Sequence, residues 1–126
     1  LNFLSHYYYG GEYGKISDQM MFNMIDPILQ SKQTSFYSNW SLLFLEKIHP
    51  TYEVAVVGPD FQTTIRDLQM KFLPNTVFLG GAQEGELELL KDKLQPGQTT
   101  IYVCQNRVCQ LPVTEPDDAL EQVKYF

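Results

Sequence analysis

Val54-Ala55-Val56-Val57 is an unbroken apolar run, closed at once by Gly58-Pro59-Asp60. A strand with one wet face alternates apolar and polar residues, so a continuous run predicts a strand buried on both faces. Such a strand needs a sheet around it and cover on both sides. The residues that follow supply candidates. Asp60 stands where it can cap a helix over 61–73, with Ile65, Leu68, Met70 and Phe72 available for packing. Pro74-Asn75 ends that helix, and a second strand is expected over 76–79, followed by Gly80-Gly81. Strand, helix and strand at this spacing predict a right-handed βαβ unit with parallel strands.

Beyond Gly81 the spacing predicts a short helix over 86–94, a turn at Pro96-Gly97 and a strand over 99–104. A hairpin partner is expected around 108–111. A last helix should run from Pro116 to about 124, with Thr114 as a possible cap. The order is βαβ, short helix, ββ, helix, which is also the order of elements in a thioredoxin-like core. The first strand-to-helix turn reads GPDF and carries no Cys-x-x-Cys, so thioredoxin chemistry at its usual place is excluded.

Before residue 50 the pattern is helical. Residues 1–9 read as the end of a helix stopped by Gly10-Gly11. A second helix is expected after Gly14, with Ile16, Met20, Met21, Met24, Ile25 and Leu29 at helical spacing and a kink or break at Pro27. A third, over 37–48, sets Trp40, Leu43, Phe44 and Ile48 on one face, with Ser35 or Ser38 as cap. Three such helices cannot bury this much apolar surface alone, so they read as the edge of a larger helical array. The chain is therefore expected to be α/β overall: a helical segment over 1–50 and a small α/β subdomain over 51–126. It opens on LNFLSHYYY without a Met, and the expectation is a piece of a longer protein.

Composition narrows the function classes. A 44% hydrophobic and 19% charged chain of 126 residues suits one folded domain, or a domain with an appendage. Net charge is -6, and nine scattered Lys and Arg residues do not build the basic field that nucleic acid or an anionic membrane surface requires. No apolar run reaches membrane-spanning length, and no charged-then-apolar leader appears. The expected location is cytoplasmic, with no cofactor.

The two cysteines, Cys104 and Cys109, lie in TIYVCQNRVCQLPV. If Asn106-Arg107 is a two-residue turn, Gln105 and Val108 close it, and the cysteines face each other as the next pair with Cα atoms roughly 4.5 Å apart. They would share a face with Tyr102 and Leu111. That spacing permits a disulfide worth about 2 kcal/mol. Arg107 suits the left-handed second turn position poorly, so a longer loop stays open. The leading reading is two reduced thiols packed as small apolar groups, with a structural or regulatory disulfide as the alternative. A catalytic thiol is disfavoured because no His or Lys lies nearby in sequence. Two cysteines with the distant His6 and His49 make a zinc site a tertiary accident at best.

The other constellations favour structural readings. Gly58-Pro59-Asp60 could hold an anion at a helix N-terminus, but Asp60 puts negative charge there, so capping is preferred. Glu84, Glu86 and Glu88 beyond Gly80-Gly81 read as a loop and a solvated helix face. His6, Tyr7, Tyr8, Tyr9, Tyr13 and Trp40 form an aromatic set. Inter-helix packing is favoured for it, while Tyr7, Tyr8 and Trp40 are the candidates for lining a polar-ligand cavity.

The tail IYVCQNRVCQLPVTEPDDALEQV resembles the C-terminal end of the large thioredoxin-domain-containing proteins related to spermatogenesis-associated protein 20. The matching positions are Tyr102, Val103, Cys104, Cys109, Pro112, Val113, Pro116 and Leu120. YEVAVVG and FLPNTVFLGG are similar to that family's small α/β segment, and the helical half, with its Gly11-Glu12-Tyr13 turn, to the last helix pairs of its α/α toroid. The resemblance spans nearly the whole chain. It implies a longer polypeptide with a thioredoxin-like domain and a helical toroid similar to N-acylglucosamine 2-epimerases and six-hairpin glycosidases. The rest of that polypeptide would be the main partner, and a carbohydrate-like or other polar small molecule the ligand. It attaches no reaction to any residue here, and no role to Cys104 or Cys109.

Overall fold

The computed structural model describes residues 11–123. The chain divides into two compact units, Leu1–His49 and Pro50–Phe126. The chain is α/β, as its sequence predicts, with helices and one four-stranded mixed sheet among the described residues.

In the first unit, helix α1 spans Gly11–Gln30, a 3-10 turn spans Thr34–Tyr37, and helix α2 spans Ser38–Ile48. Gly11-Glu12-Tyr13 opens α1 and is not a turn. Nor does Pro27 break the helix, which continues to Gln30. A proline forfeits one hydrogen bond and crowds the carbonyl four residues back, and here only the last turn lies beyond it. The period of the pattern is as expected, but its phase is not. The inward positions are Gly14, Ser17, Met21, Met24, Ile25 and Ile28, while Ile16, Met20 and Leu29 are exposed. In α2, Trp40, Leu43 and Phe44 are half-buried and Ile48 is exposed. Neither Ser35 nor Ser38 caps α2: Tyr37 occupies the N-cap, with no side-chain hydrogen bond. Lys47 Nζ reaches Asp18 Oδ1 at 2.6 Å, tying α2 to α1.

In the second unit, strand β1 spans Tyr52–Val57 and every residue in it is buried. The unbroken apolar run thus forms the doubly covered strand that its composition predicts. Helix α3 spans Phe61–Gln69, strand β2 Thr76–Gly81, strand β3 Thr100–Gln105, strand β4 Val108–Cys109 and helix α4 Pro116–Gln122. The sheet order is β2-β1-β3-β4. β1 and β2 are parallel, and β1-β3 and β3-β4 are antiparallel.

Strand residues alternate between the two faces of the sheet. On one face Tyr52, Val54, Val56, Ile101 and Val103 pack with Leu68 of α3 and Ala119 of α4. Gly80 is required here, because a Cβ on it would lie 2.5 Å from Ile65 Cδ1 and 2.8 Å from the Phe61 ring. The opposite face carries Ala55 and Val57 with Leu79 and Tyr102, covered by Leu90.

Several sequence expectations are corrected. α3 stops at Gln69, four residues short of the expected end, which leaves Met70 80% and Phe72 88% exposed. Phe61 and Leu73 pack on the core in their place. No helix forms over 86–94. The segment between β2 and β3 is a run of bends and turns, held where Leu90 and Lys91 amides donate to the Leu87 carbonyl. Asp60 sits at the N-cap of α3 without a side-chain cap bond. Its backbone acts instead: its N–H donates to Thr99 Oγ1 at 2.9 Å and its carbonyl accepts from the Thr64 amide and hydroxyl, both at 3.1 Å. Thr114 does not cap α4 either. Glu115 is the N-cap, also without a side-chain bond, and Asp117 and Asp118 in the first turn complement the helix dipole. Gly58 has φ +140°, and a Cβ there would meet Gln98 O and Thr99 Cα at 2.5 Å. The turn after β1 therefore depends on glycine to let the chain before β3 pass close by.

Candidate functional site

The hairpin between β3 and β4 is the feature with the most chemical content. Asn106 and Arg107 have φ of +50° and +66°, the left-handed pair of a two-residue turn. The two-residue turn is therefore kept despite Arg107, and the longer-loop alternative falls. Gln105 pairs with Val108 and Cys104 with Cys109, the register that this turn predicts.

Cys104 and Cys109 are joined as a disulfide, with Cα atoms 3.9 Å apart. The pair is thus not the two reduced thiols that the sequence favoured. Cys104 is 1% exposed and Cys109 half-buried, so the two sulfurs differ in how readily another thiol can approach them. β4 is only two residues long, and Leu111 lies beyond it and exposed, so it does not join Tyr102 in a packed face.

Surrounding bonds fix the hairpin. The Gln110 amide donates to the Val103 carbonyl at 2.9 Å, and Ile101 and Val113 exchange two backbone bonds at 2.7 and 3.0 Å. Gln110 Nε2 donates to the Gln122 carbonyl and Gln122 Nε2 to the Leu111 carbonyl, both at 2.9 Å, which ties the strand's exit to α4. At its other end, Gln105 Nε2 donates to the Pro50 carbonyl at 2.8 Å, locking β3 to the start of β1.

Register places one further group beside the disulfide. Glu53 of β1 is the direct partner of Cys104 on β3, so the two side chains leave the same face. Glu53 is 6% exposed. A charged residue type is rarely buried without a specific reason, which makes it a functional candidate. Sequence reasoning missed it. Glu53 borders the apolar run, but its partner on the sheet is invisible until strand pairing is known. On the same face, Tyr102 donates its hydroxyl to the Lys93 carbonyl at 3.0 Å, and the Lys93 ammonium sits 5.5 Å from its ring centroid. Near the turn, Arg107 approaches Glu88 at 3.9 Å, with both half-exposed.

Trp40 is half-buried in α2, and Tyr7 and Tyr8 lie outside the described residues, as does His6. Tyr13 is exposed, and His49 follows α2 with its amide bonded to the Leu45 carbonyl at 2.8 Å. Glu84 accepts the Leu94 amide at 2.8 Å, so its carboxylate is engaged in loop structure. An open cleft of about 370 Å³ lies between the end of α3 and the start of α4, lined by Asp67, Met70, Lys71, Glu115, Pro116 and Asp117. Among the described residues no three His, Cys, Asp or Glu side chains gather as metal ligands, and no helix is long and apolar enough to cross a membrane.

Fold and site together define a class: a small mixed α/β unit carrying a disulfide-closed hairpin, joined in sequence to a helical unit. No family model matches the chain, and no curated protein or solved structure matches it.

Proposed function

We propose that this chain is a structural and interaction module, in which the helical unit completes a helical layer of a larger toroid and the α/β unit is its self-sufficient companion. One observation carries the reading. α1 and α2 hold apolar residues on their outward as well as their inward positions: Tyr13, Ile16, Met20, Phe22, Leu42 and Leu45 are all exposed. A helix apolar on more than one side belongs between two packing layers. The occupant proposed is the further helix pairs of the same polypeptide, which the family resemblance implies, and the cavity of that toroid would take a carbohydrate-like or other polar ligand. The module itself turns nothing over and resides in the cytoplasm.

The test is the solution behaviour of the chain on its own. It is expected to bind an apolar dye and self-associate, and both effects should fall when Phe22 and Leu45 are replaced by Ser and Gln. A monomer that binds no dye would sink the proposal.

A second reading is favoured by a separate observation, the disulfide that joins a buried sulfur to a half-buried one. In this reading Cys104 and Cys109 form a thiol redox accessory that cycles between dithiol and disulfide. Disulfides are rare in reducing compartments unless they turn over, which suits a cytoplasmic protein that uses this one. Thiol labelling across a series of defined redox buffers tests it. No change in labelling between strongly reducing and strongly oxidising buffers would rule out cycling.

A further inference from the structure

The geometry points to Glu53 as the proton-exchange partner of the Cys104–Cys109 pair, a positioning and proton-handling residue beside the buried sulfur. The inference rests on the redox reading and deepens it.

Three observations combine. Cys109, Cys104, Glu53 and Val77 stand in one row across β4, β3, β1 and β2, each in register with the next. Directly opposed residues on one face have Cβ atoms roughly 4.5–5.5 Å apart, within reach of a glutamate side chain. Cys104 at 1% and Glu53 at 6% exposed are both shielded from bulk water, so a proton needed at the Cys104 sulfur is best supplied from within the protein. Cys109, at the sheet edge, is the sulfur that an incoming thiol can approach.

The chemistry follows from that asymmetry. A thiolate of a dithiol reductant attacks Cys109 Sγ, forming a mixed disulfide there as the Cys104–Cys109 bond breaks. The bonding pair goes to Cys104 Sγ, which takes a proton from the Glu53 carboxyl and becomes a thiol, leaving a carboxylate. The second thiol of the reductant then displaces Cys109 and departs as a disulfide. One disulfide is reduced and one dithiol oxidised. In the oxidising direction the Glu53 carboxylate accepts the Cys104 proton as that sulfur attacks.

Five ionisable residues on this face or beside it have contacts of their own. Tyr102 donates to the Lys93 carbonyl, the Lys93 ammonium sits over the Tyr102 ring, Arg107 approaches Glu88, and Glu84 accepts the Leu94 amide. β2 contributes Val77 and Leu79, which carry no proton.

The experiment uses the full chain and dithiothreitol, following reduction between about pH 5.5 and 8.5 by thiol labelling, with rates referred to the thiolate concentration. Loss of a positioned acid or base typically removes roughly tenfold to a hundredfold or more in rate. Glu53→Gln is expected to slow reduction by that order and to remove one protonation step from the pH profile, while Glu53→Asp retains the step. A folded Glu53→Gln protein with the wild-type rate and profile would overturn the role of Glu53 and leave the redox reading standing. A wild-type pair that no redox buffer converts would overturn the redox reading itself. Should Glu53→Gln fail to fold, the infrared difference between oxidised and reduced wild type decides: a changed carboxyl band supports the proposal, and an unchanged one overturns it.

Discussion

The two units differ in how they use apolar residues. Among the described residues, every buried hydrophobic side chain lies in the α/β unit, from Tyr52 to Val123. In the helical unit the one described residue that is fully buried is Ser17, a polar one. Yet the helical unit is not poor in apolar side chains; it exposes Phe22, Leu29, Phe36, Leu42 and Ile48 among others. A helical pattern is written in local spacing, whereas a core, and most of a helix's stability in a protein, needs several elements closing on the same space. The α/β unit has that closure because β1 is paired on both edges and α3 and α4 lie over one face.

This contrast is open to direct attack. The largest effect is expected from Leu68→Ala, which empties the centre of the cluster between α3 and the sheet. A loss of about 2–5 kcal/mol is expected in urea unfolding of the α/β transition. A loss below about 1 kcal/mol would mean that this core is loosely packed and the two units are less different than they look.

Next is the hairpin. Replacing Cys104 and Cys109 together by Ala removes a short loop closure and should cost about 2 kcal/mol, read as a lower urea midpoint for the same unit. Equal stability of the oxidised and cysteine-free proteins would assign the disulfide to chemistry and not to holding β4 in place. Arg107→Gly should act in the opposite direction. Arg107 holds φ +66°, which glycine adopts without steric penalty, so a gain of about 0.5–1 kcal/mol is expected after the entropy of a freer unfolded chain is subtracted. Loss of stability there would point to the Glu88 ion pair as more than a surface contact.

The smallest stability effect belongs to the helical unit. Leu42→Ser with Leu45→Gln should change its unfolding by less than about 0.5 kcal/mol, because both side chains are exposed, while clearly lowering dye binding and self-association. A large destabilisation would show that these residues already have packing partners within the chain, erasing the distinction between the units.

How much was legible in the sequence varied with the range of the interaction involved. Val54–Val57 announced its own burial, since only a doubly covered strand tolerates such a run. The Asn106-Arg107 turn was one of two loops the sequence left open, and the Cys104–Cys109 pairing followed from it by local geometry. Helix caps were less readable. Asp60, Thr114, Ser35 and Ser38 are all residue types that cap helices, yet none does so here by its side chain. The 86–94 segment carried a helix-like spacing, but tertiary demands made it a turn-rich cover that places Leu90 over Ala55 and Val57.

The sequence by itself determined the α/β class, the buried strand around 54–57 and the helical period of α1, and it offered the two-residue turn that brings the two cysteines together beside a longer loop. These depend on spacing and backbone preference over a few residues. Only the tertiary structure decided the phase of α1, which places Met24 inward and Ile16 outward, and the closure of the thiols into a disulfide. It also decided the meeting of Glu53 with Cys104, fifty-one positions apart in the chain yet directly opposed in register. The physical reason is the same for the phase of α1 and for the pairing of Glu53 with Cys104. Which face turns inward, and which strand lies beside which, is set by long-range burial, and no local pattern encodes it.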